Sequence, residues 1–201
     1  PLTRQANGRY VVDMDRFKQT VTEQTKLFLL CNPHNPVGRV FTPEELREMG
    51  EVCLRNETFI CSDEIHGDLT FTGHPHTPIA ALSPELEAVT ITLMAPSKTF
   101  NIAGLDCGYA VIPNPELRKQ YLQARGGLVG HPNLMGYTAA RAAYLEGEPW
   151  LAAALRYMEA NRDILVDYVN TRLPGLRVTA PEGTYLAWID CREANLPTAP
   201  Q

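Results

Sequence analysis

Three residues of different chemistry stand at equivalent points along this 201-residue sequence: Asn35, Asp63 and Lys98. Asn35 follows a short apolar run, Lys26 to Cys31. Asp63 directly follows a second, Thr58 to Ser62, and Lys98 follows a third, Ala88 to Met94. A lysine whose proton affinity is lowered by desolvation or a nearby cation can form a Schiff base with an aldehyde. A carboxylate held against a pyridine nitrogen keeps that nitrogen protonated, and the protonated ring accepts electrons from a carbanion. A carboxamide can donate a hydrogen bond to a ring phenolate, and the Ser97 hydroxyl beside the lysine can reach phosphate oxygens. The set suits pyridoxal 5'-phosphate (PLP). Sequence spacing does not by itself select that cofactor, because each residue alone could be a solvated loop residue.

The elements between these residues decide whether they can meet. Lys26 to Cys31 is nearly continuous in apolar residues, which predicts a strand buried on both faces. Asn32 to Gly38 holds two prolines and a glycine and cannot be helical. Thr42-Pro43-Glu44-Glu45 reads as a capped helix start, and the helix runs to about Arg55 with Leu46, Met49, Val52 and Cys53 on one face. Strand, helix and strand at this spacing predict a parallel βαβ unit with a right-handed crossover. In a mostly parallel sheet the carboxyl ends of the strands share one edge, where ligands bind. A fourth strand is expected over Cys107 to Ile112, and helices near 115–125, 133–146 and 149–172. The last would be roughly 36 Å long and suits a connector between lobes. Asn7-Gly8 predicts a tight turn, and Leu176 to Thr179 and Thr184 to Ile189 predict strands of a second lobe.

Composition narrows the class. Eighteen basic against 23 acidic side chains give a net charge of −5, which argues against a nucleic-acid binder. No apolar run approaches the roughly 20 residues of a membrane helix, and the polar start has no signal-peptide pattern. Five cysteines without a C-x-x-C pair point to a reducing, cytoplasmic setting. The first residue is Pro1 and the stretch Pro197 to Gln201 is loop-like, so a fragment or processed chain is expected.

Asn32-Pro33-His34-Asn35-Pro36-Val37-Gly38 resembles the N-P-x-N-P-x-G loop of class I/II aminotransferases of PLP fold type I. Cys61-Ser62-Asp63-Glu64-Ile65-His66-Gly67-Asp68-Leu69 and Ala95-Pro96-Ser97-Lys98-Thr99-Phe100-Asn101-Ile102-Ala103-Gly104-Leu105 are similar to the branch of MalY/PatB-type cystathionine β-lyases. The likeness continues through Asn133 to Tyr137 and Gly183 to Trp188. It implies an α/β fold: a three-layer αβα PLP-binding large domain with a mostly parallel sheet over residues 1–147, a connecting helix over 148–172, and the start of a small α+β domain over 173–201. It implies Lys98 as the Schiff-base lysine that moves the Cα proton and Asp63 as partner of the pyridinium nitrogen. Asn35 and His66 would face the ring oxygen, and Ser97 the phosphate. The substrate would be an amino acid, the outcome transamination or C–S β-elimination, and the assembly a homodimer. Where many relatives carry a phosphate-binding arginine this sequence has Asp106, which is expected to turn away.

Two other readings stand beside this one. Asp63, His66 and Asp68 could serve a metal-dependent hydrolase, with His74 and His76 read as solvated loop residues. The chain could also be a non-catalytic fragment of the PLP enzyme, since such enzymes are longer. Gly126 to Gly130 lacks the context of a nucleotide loop. Tyr137, Tyr144, Tyr157, Tyr168 and Trp188 read as packing residues, and Cys31 and Cys61 as inert strand cysteines.

Overall fold

A computed structural model describes residues 2–194 of the chain. The expected loop at Pro197 to Gln201 and the last residues of the expected second lobe lie outside them. The chain opens with an antiparallel ribbon, β1 (Leu2–Arg4) and β2 (Tyr10–Val12), turned at Asn7-Gly8, followed by α1 (Met14–Thr20) under an Asp13 cap. A four-stranded sheet follows: β3 (Leu27–Cys31), β4 (Phe59–Asp63), β5 (Thr90–Met94) and β6 (Tyr109–Val111), adjacent in that order. The first three strands are parallel and β6 is antiparallel to β5.

The βαβ unit forms as the sequence predicts. Its helix α2 (Pro43–Arg55) starts in a capping box in which Thr42 and Glu45 each accept the other's backbone N–H. Leu46, Met49 and Cys53 drive its apolar face against Leu30 and Ile60 of the sheet, and Ile79 and Leu86 complete the core. Burying each large side chain contributes about 1.5–3 kcal/mol. Leu86 belongs to α3 (Pro84–Val89), which, like α1, is too short to show a helical period in sequence.

Only one face of the sheet is covered among the described residues. Leu27 and Leu29 are exposed, and so is Phe59, which pairs with Leu27. The expectation that the first strand is buried on both faces is therefore corrected: Phe28 and Leu30 face the core and Leu27 and Leu29 do not. A continuous apolar run cannot reveal which of its two faces has a partner.

Beyond the sheet lie α4 (Pro96–Thr99), α5 (Pro115–Arg125), α6 (Leu134–Glu146) and α7 (Glu148–Arg172), the last uninterrupted over 25 residues. Two short antiparallel strands follow, β7 (Arg177–Val178) and β8 (Ile189–Asp190). The strand expected over Thr184 to Ile189 is reduced to its last residue. Gly183 bridges to Thr70, and Thr184 then takes a left-handed backbone with φ of 67°, which turns the chain out of any strand. Tyr137, Tyr157, Tyr168 and Trp188 are exposed rather than packed. Tyr144 is exposed too, though its ring meets Phe100 and Tyr109 edge-on.

Replacing Leu46, which has no exposed surface, by Ala should lower the unfolding free energy by about 2–5 kcal/mol. Thr42→Ala, which removes one half of the capping box, should cost only about 1 kcal/mol. Urea unfolding of both variants checks the order. A Leu46→Ala variant as stable as the parent would mean that α2 does not anchor the core.

Candidate functional site

Strand register builds the site. Cys31, Asp63 and Leu93 are lateral partners across three parallel strands, so all three chains leave the sheet at one edge. Asp63 shares the open face with Leu27, Leu29 and Phe59 because side chains alternate along a strand. There it lines a cavity of about 1180 Å³ together with Leu93, Tyr109 and Tyr144. Its Oδ1 accepts a hydrogen bond from the Ile65 N–H at 3.2 Å, which starts the turn after β4.

The loop after β3 carries Asn35 at an exposed position, and the Asn35 N–H donates to Cys31 Sγ at 3.4 Å. Its base is anchored by Arg39, which is only 3% exposed. The Arg39 guanidinium donates to Glu182 Oε2 at 2.9 Å, to Glu45 Oε2 at 2.7 Å and to the Tyr10 carbonyl. Glu182 Oε2 also accepts the Val40 N–H at 2.8 Å, and the Glu182 N–H donates to the Gly38 carbonyl at 2.7 Å. Gly38 has a φ of 70° and lies against Pro181 so closely that a Cβ would overlap it. Only glycine suits both the backbone and the contact.

The turn after β4 presents His66, which is 3% exposed. Its ring meets Tyr185 edge-on at 5.5 Å between centroids, and its Nδ1 is buried without a hydrogen-bond partner among the described residues. Burial holds its pKa below the ordinary histidine value; the Lys98 charge adds to that and the Asp63 charge opposes it. His66 thus feels both Asp63 and Lys98. Lys98 sits in the single turn α4, right after β5. The next residue, Thr99, is buried and donates its hydroxyl to Asp68 Oδ2 at 2.9 Å, tying the lysine's segment to the His66 turn.

Asp63, His66 and Lys98 therefore gather at one edge, with Ser97 beside the lysine and Asn35 on the neighbouring loop. Among the described residues no hydrogen bond or ion pair engages the Lys98 amine, the Asn35 amide or the Ser97 hydroxyl, whereas the groups around them are bonded into the fold. An amine and an amide left free at one edge, with a carboxylate that spends only one oxygen on the turn, can receive an aldehyde-bearing heterocycle. Cys31 and Cys61 flank the site, and burial raises both thiols above the ordinary cysteine value, which keeps them protonated.

Several expectations are corrected here. Asp63, His66 and Asp68 do not form a metal centre: no group of three or more His, Cys, Asp or Glu able to hold an ion occurs among the described residues, and Asp68 is bonded to Thr99. His76 is not a solvated loop residue; its Nε2 lies 2.9 Å from Glu64 Oε2. Asp106 is exposed, has a left-handed φ of 48° and stands at the rim of the same cavity as Asp63. Sequence reasoning missed Arg39 and Glu182, and it did not find the pairing of Glu64 with His76. Their partners lie as far as 143 residues away in the chain, and no local motif signals such a pairing.

The family described as aminotransferase class I and II matches residues 3–200 of the chain. Cystathionine β-lyase PatB of Bacillus subtilis is 40% identical over 187 residues, covering 92% of this chain and 48% of that protein. Protein MalY of Escherichia coli is 37% identical over 198 residues, covering 97% and 50%. Among solved structures, cystalysin from Treponema denticola, which contains a pyridoxal 5'-phosphate cofactor, superposes with a TM-score of 0.90 at 36% identity, covering 94% of this chain and 48% of that chain. The chain spans about half the length of the curated relatives it matches.

A pH dependence follows from His66 and from His34, whose pKa is also held down first by burial. The folded state resists protonating them while the unfolded chain takes up protons near the ordinary value, so stability falls as pH drops below about 6.5. Urea unfolding between about pH 7 and about pH 5.5 should show that fall, and His66→Gln should flatten it. A slope unchanged in the variant would mean that His66 is not buried in the neutral form.

Proposed function

This chain belongs to the aminotransferase class I and II family, and we propose that its site holds pyridoxal 5'-phosphate and acts on an amino acid. The observation that carries the reading is the uncommitted Lys98 amine at the strand edge that also carries Asp63, with His66 in electrostatic reach of both. The residues fit the cofactor. His66 Nδ1 is an orphaned buried polar atom facing no protein partner among the described residues, and Asn35 and Ser97 keep their polar groups free.

When bound, the cofactor supplies an aldehyde carbon for a Schiff base and a ring that draws electrons from the substrate Cα. Lys98 Nζ would hold that aldehyde carbon and, once released, take the proton from Cα. The Asp63 carboxylate would keep a proton on the ring nitrogen. The Asn35 amide and His66 would face the ring oxygen, and the Ser97 hydroxyl a phosphate oxygen. The Asp106 carboxylate is no phosphate ligand, and turned towards a phosphate it would weaken that end of the site by like-charge repulsion. Loss of a β-thiol after proton removal gives a C–S lyase, the outcome favoured by the likeness to cystathionine β-lyase PatB. Transfer of the amino group is the second reading, supported by the family as a whole.

The same reading takes residues 1–147 as part of the large domain, the unbroken helix over 148–172 as the connector and 173–201 as the start of the small domain. It takes the protein as a homodimer, which the exposed Leu134, Met135 and Leu145 on α6 support. No described helix is long and apolar enough to cross a membrane, and all five cysteines are free, which supports a cytoplasmic setting.

Borohydride reduction of the complete gene product with PLP, followed by peptide mapping, should place a phosphopyridoxyl group on Lys98. Lys98→Ala should lower turnover by roughly a thousandfold or more. Thiol release from cystathionine without a keto-acid acceptor supports the lyase, and dependence on an acceptor supports the transaminase. A folded protein that takes no label at Lys98 would sink both.

A further inference from the structure

A chain of hydrogen bonds lies under the site, on the covered side of the sheet. Glu64 is 1% exposed. Its Oε1 accepts from the Ser62 hydroxyl at 2.8 Å and from the Ile79 N–H at 3.4 Å, and its Oε2 lies 2.9 Å from His76 Nε2. His76 Nδ1 lies 3.4 Å from the amide nitrogen of Asn32, which is fully buried, and Asn32 Oδ1 accepts the Phe41 N–H at 3.0 Å.

Each bond in this chain has a fixed direction. A carboxylate only accepts, so His76 Nε2 carries the hydrogen. Asn32 Oδ1 is taken by the Phe41 N–H, so the amide offers its NH₂ to His76, and Nδ1 accepts. His76 must donate on one side, to Glu64, and accept on the other, from Asn32. Its ring is also a floor: a Cβ on Gly67 would lie 3.0 Å from His76 Cδ2 and 3.0 Å from the Glu64 carbonyl. The turn that presents His66 therefore rests directly on the imidazole.

Both strand ends beside the site depend on these residues. The Asn32 N–H donates to the Asp63 carbonyl at 3.0 Å, the Glu64 N–H to the Leu93 carbonyl at 3.0 Å, and the Gly67 N–H to the Glu64 carbonyl at 2.7 Å. We propose that His76 is a positioning residue: by joining Asn32 to Glu64 it fixes the Asn35 loop and the Asp63–His66 turn relative to each other. Its consequence for the cofactor rests on the function proposed above; the positioning itself does not.

The test uses the complete gene product with His76→Phe, which keeps a ring but neither hydrogen bond, and His76→Gln, whose amide can both donate to Glu64 and accept from Asn32. Amide hydrogen exchange in the cofactor-free protein should speed up about tenfold or more in both 32–38 and 63–67 for the Phe variant, and return towards the parent rate for Gln. With PLP added, the dissociation constant should rise about tenfold for Phe and about twofold or less for Gln. The pH midpoint of the visible absorption band should move in Phe alone. If His76→Phe fails to fold, Glu64→Gln takes its place, with the same exchange pattern expected because its amide would force the histidine to reverse its hydrogen. Equal exchange in parent and Phe variant, or equal impairment in Phe and Gln, overturns the proposal. If the parent binds no PLP, the proposed function falls, while the exchange arm still decides the role of His76.

Discussion

Everything at the site depends on the parallel register that sets Cys31, Asp63 and Leu93 side by side. Side chains alternate with a period of two, so a slip of one residue in either pairing would send Asp63 to the opposite face. The covered face prevents that slip. Leu30 and Ile60 are buried against Leu46, Met49 and Cys53 of α2, and shifting either strand by one would place Leu29 or Cys61 there instead. The apolar core thus fixes the position of a carboxylate that it never touches.

The second constraint is electrostatic. Arg39 and Glu182 are both buried and are separated by most of the chain, yet they meet in one ion-paired cluster with Glu45. A buried pair of this kind contributes little net stability, because desolvating the charges offsets their attraction. Its geometric effect is larger. The guanidinium binds the start of α2, the ribbon and the 181–185 segment at once, so the loop carrying Asn35 and the segment carrying Tyr185 cannot move independently. Tyr185 in turn is held against His66. The sheet edge and the 181–185 segment are joined at the point where the free polar groups stand.

Local chemistry was legible in the sequence. Thr42-Pro43-Glu44-Glu45 encodes its own helix start, and the strand–helix–strand spacing encodes a parallel pair, so the shared edge of Asn35, Asp63 and Lys98 could be read before any coordinates. Relations between distant segments could not. His76 flanks prolines in a polar loop, and nothing nearby indicates that Glu64 and Asn32 close around it. Thr184 to Ile189 alternates like a strand, but the Gly183 bridge to Thr70 and the left-handed Thr184 override that pattern. The run Leu27 to Cys31 shows that two faces are apolar, while burial of a face depends on what lies across from it. Tyr157 and Tyr168 illustrate the same limit on α7, where helical spacing marks a face without supplying its partner.

Adjacent acids with opposite fates explain how the two sides of the sheet divide the work. Ser62 and Glu64 point to the covered side, where every polar atom must find a partner or carry a desolvation cost of about 1–3 kcal/mol. They find theirs in each other, in His76 and in Ile79, and the result is a rigid backing. Asp63, between them, points to the open side and spends only one oxygen on the turn. A site needs groups that are held in place and yet uncommitted. Alternation along one strand achieves both: the neighbours on either side are tied into the fold so that the residue between them need not be.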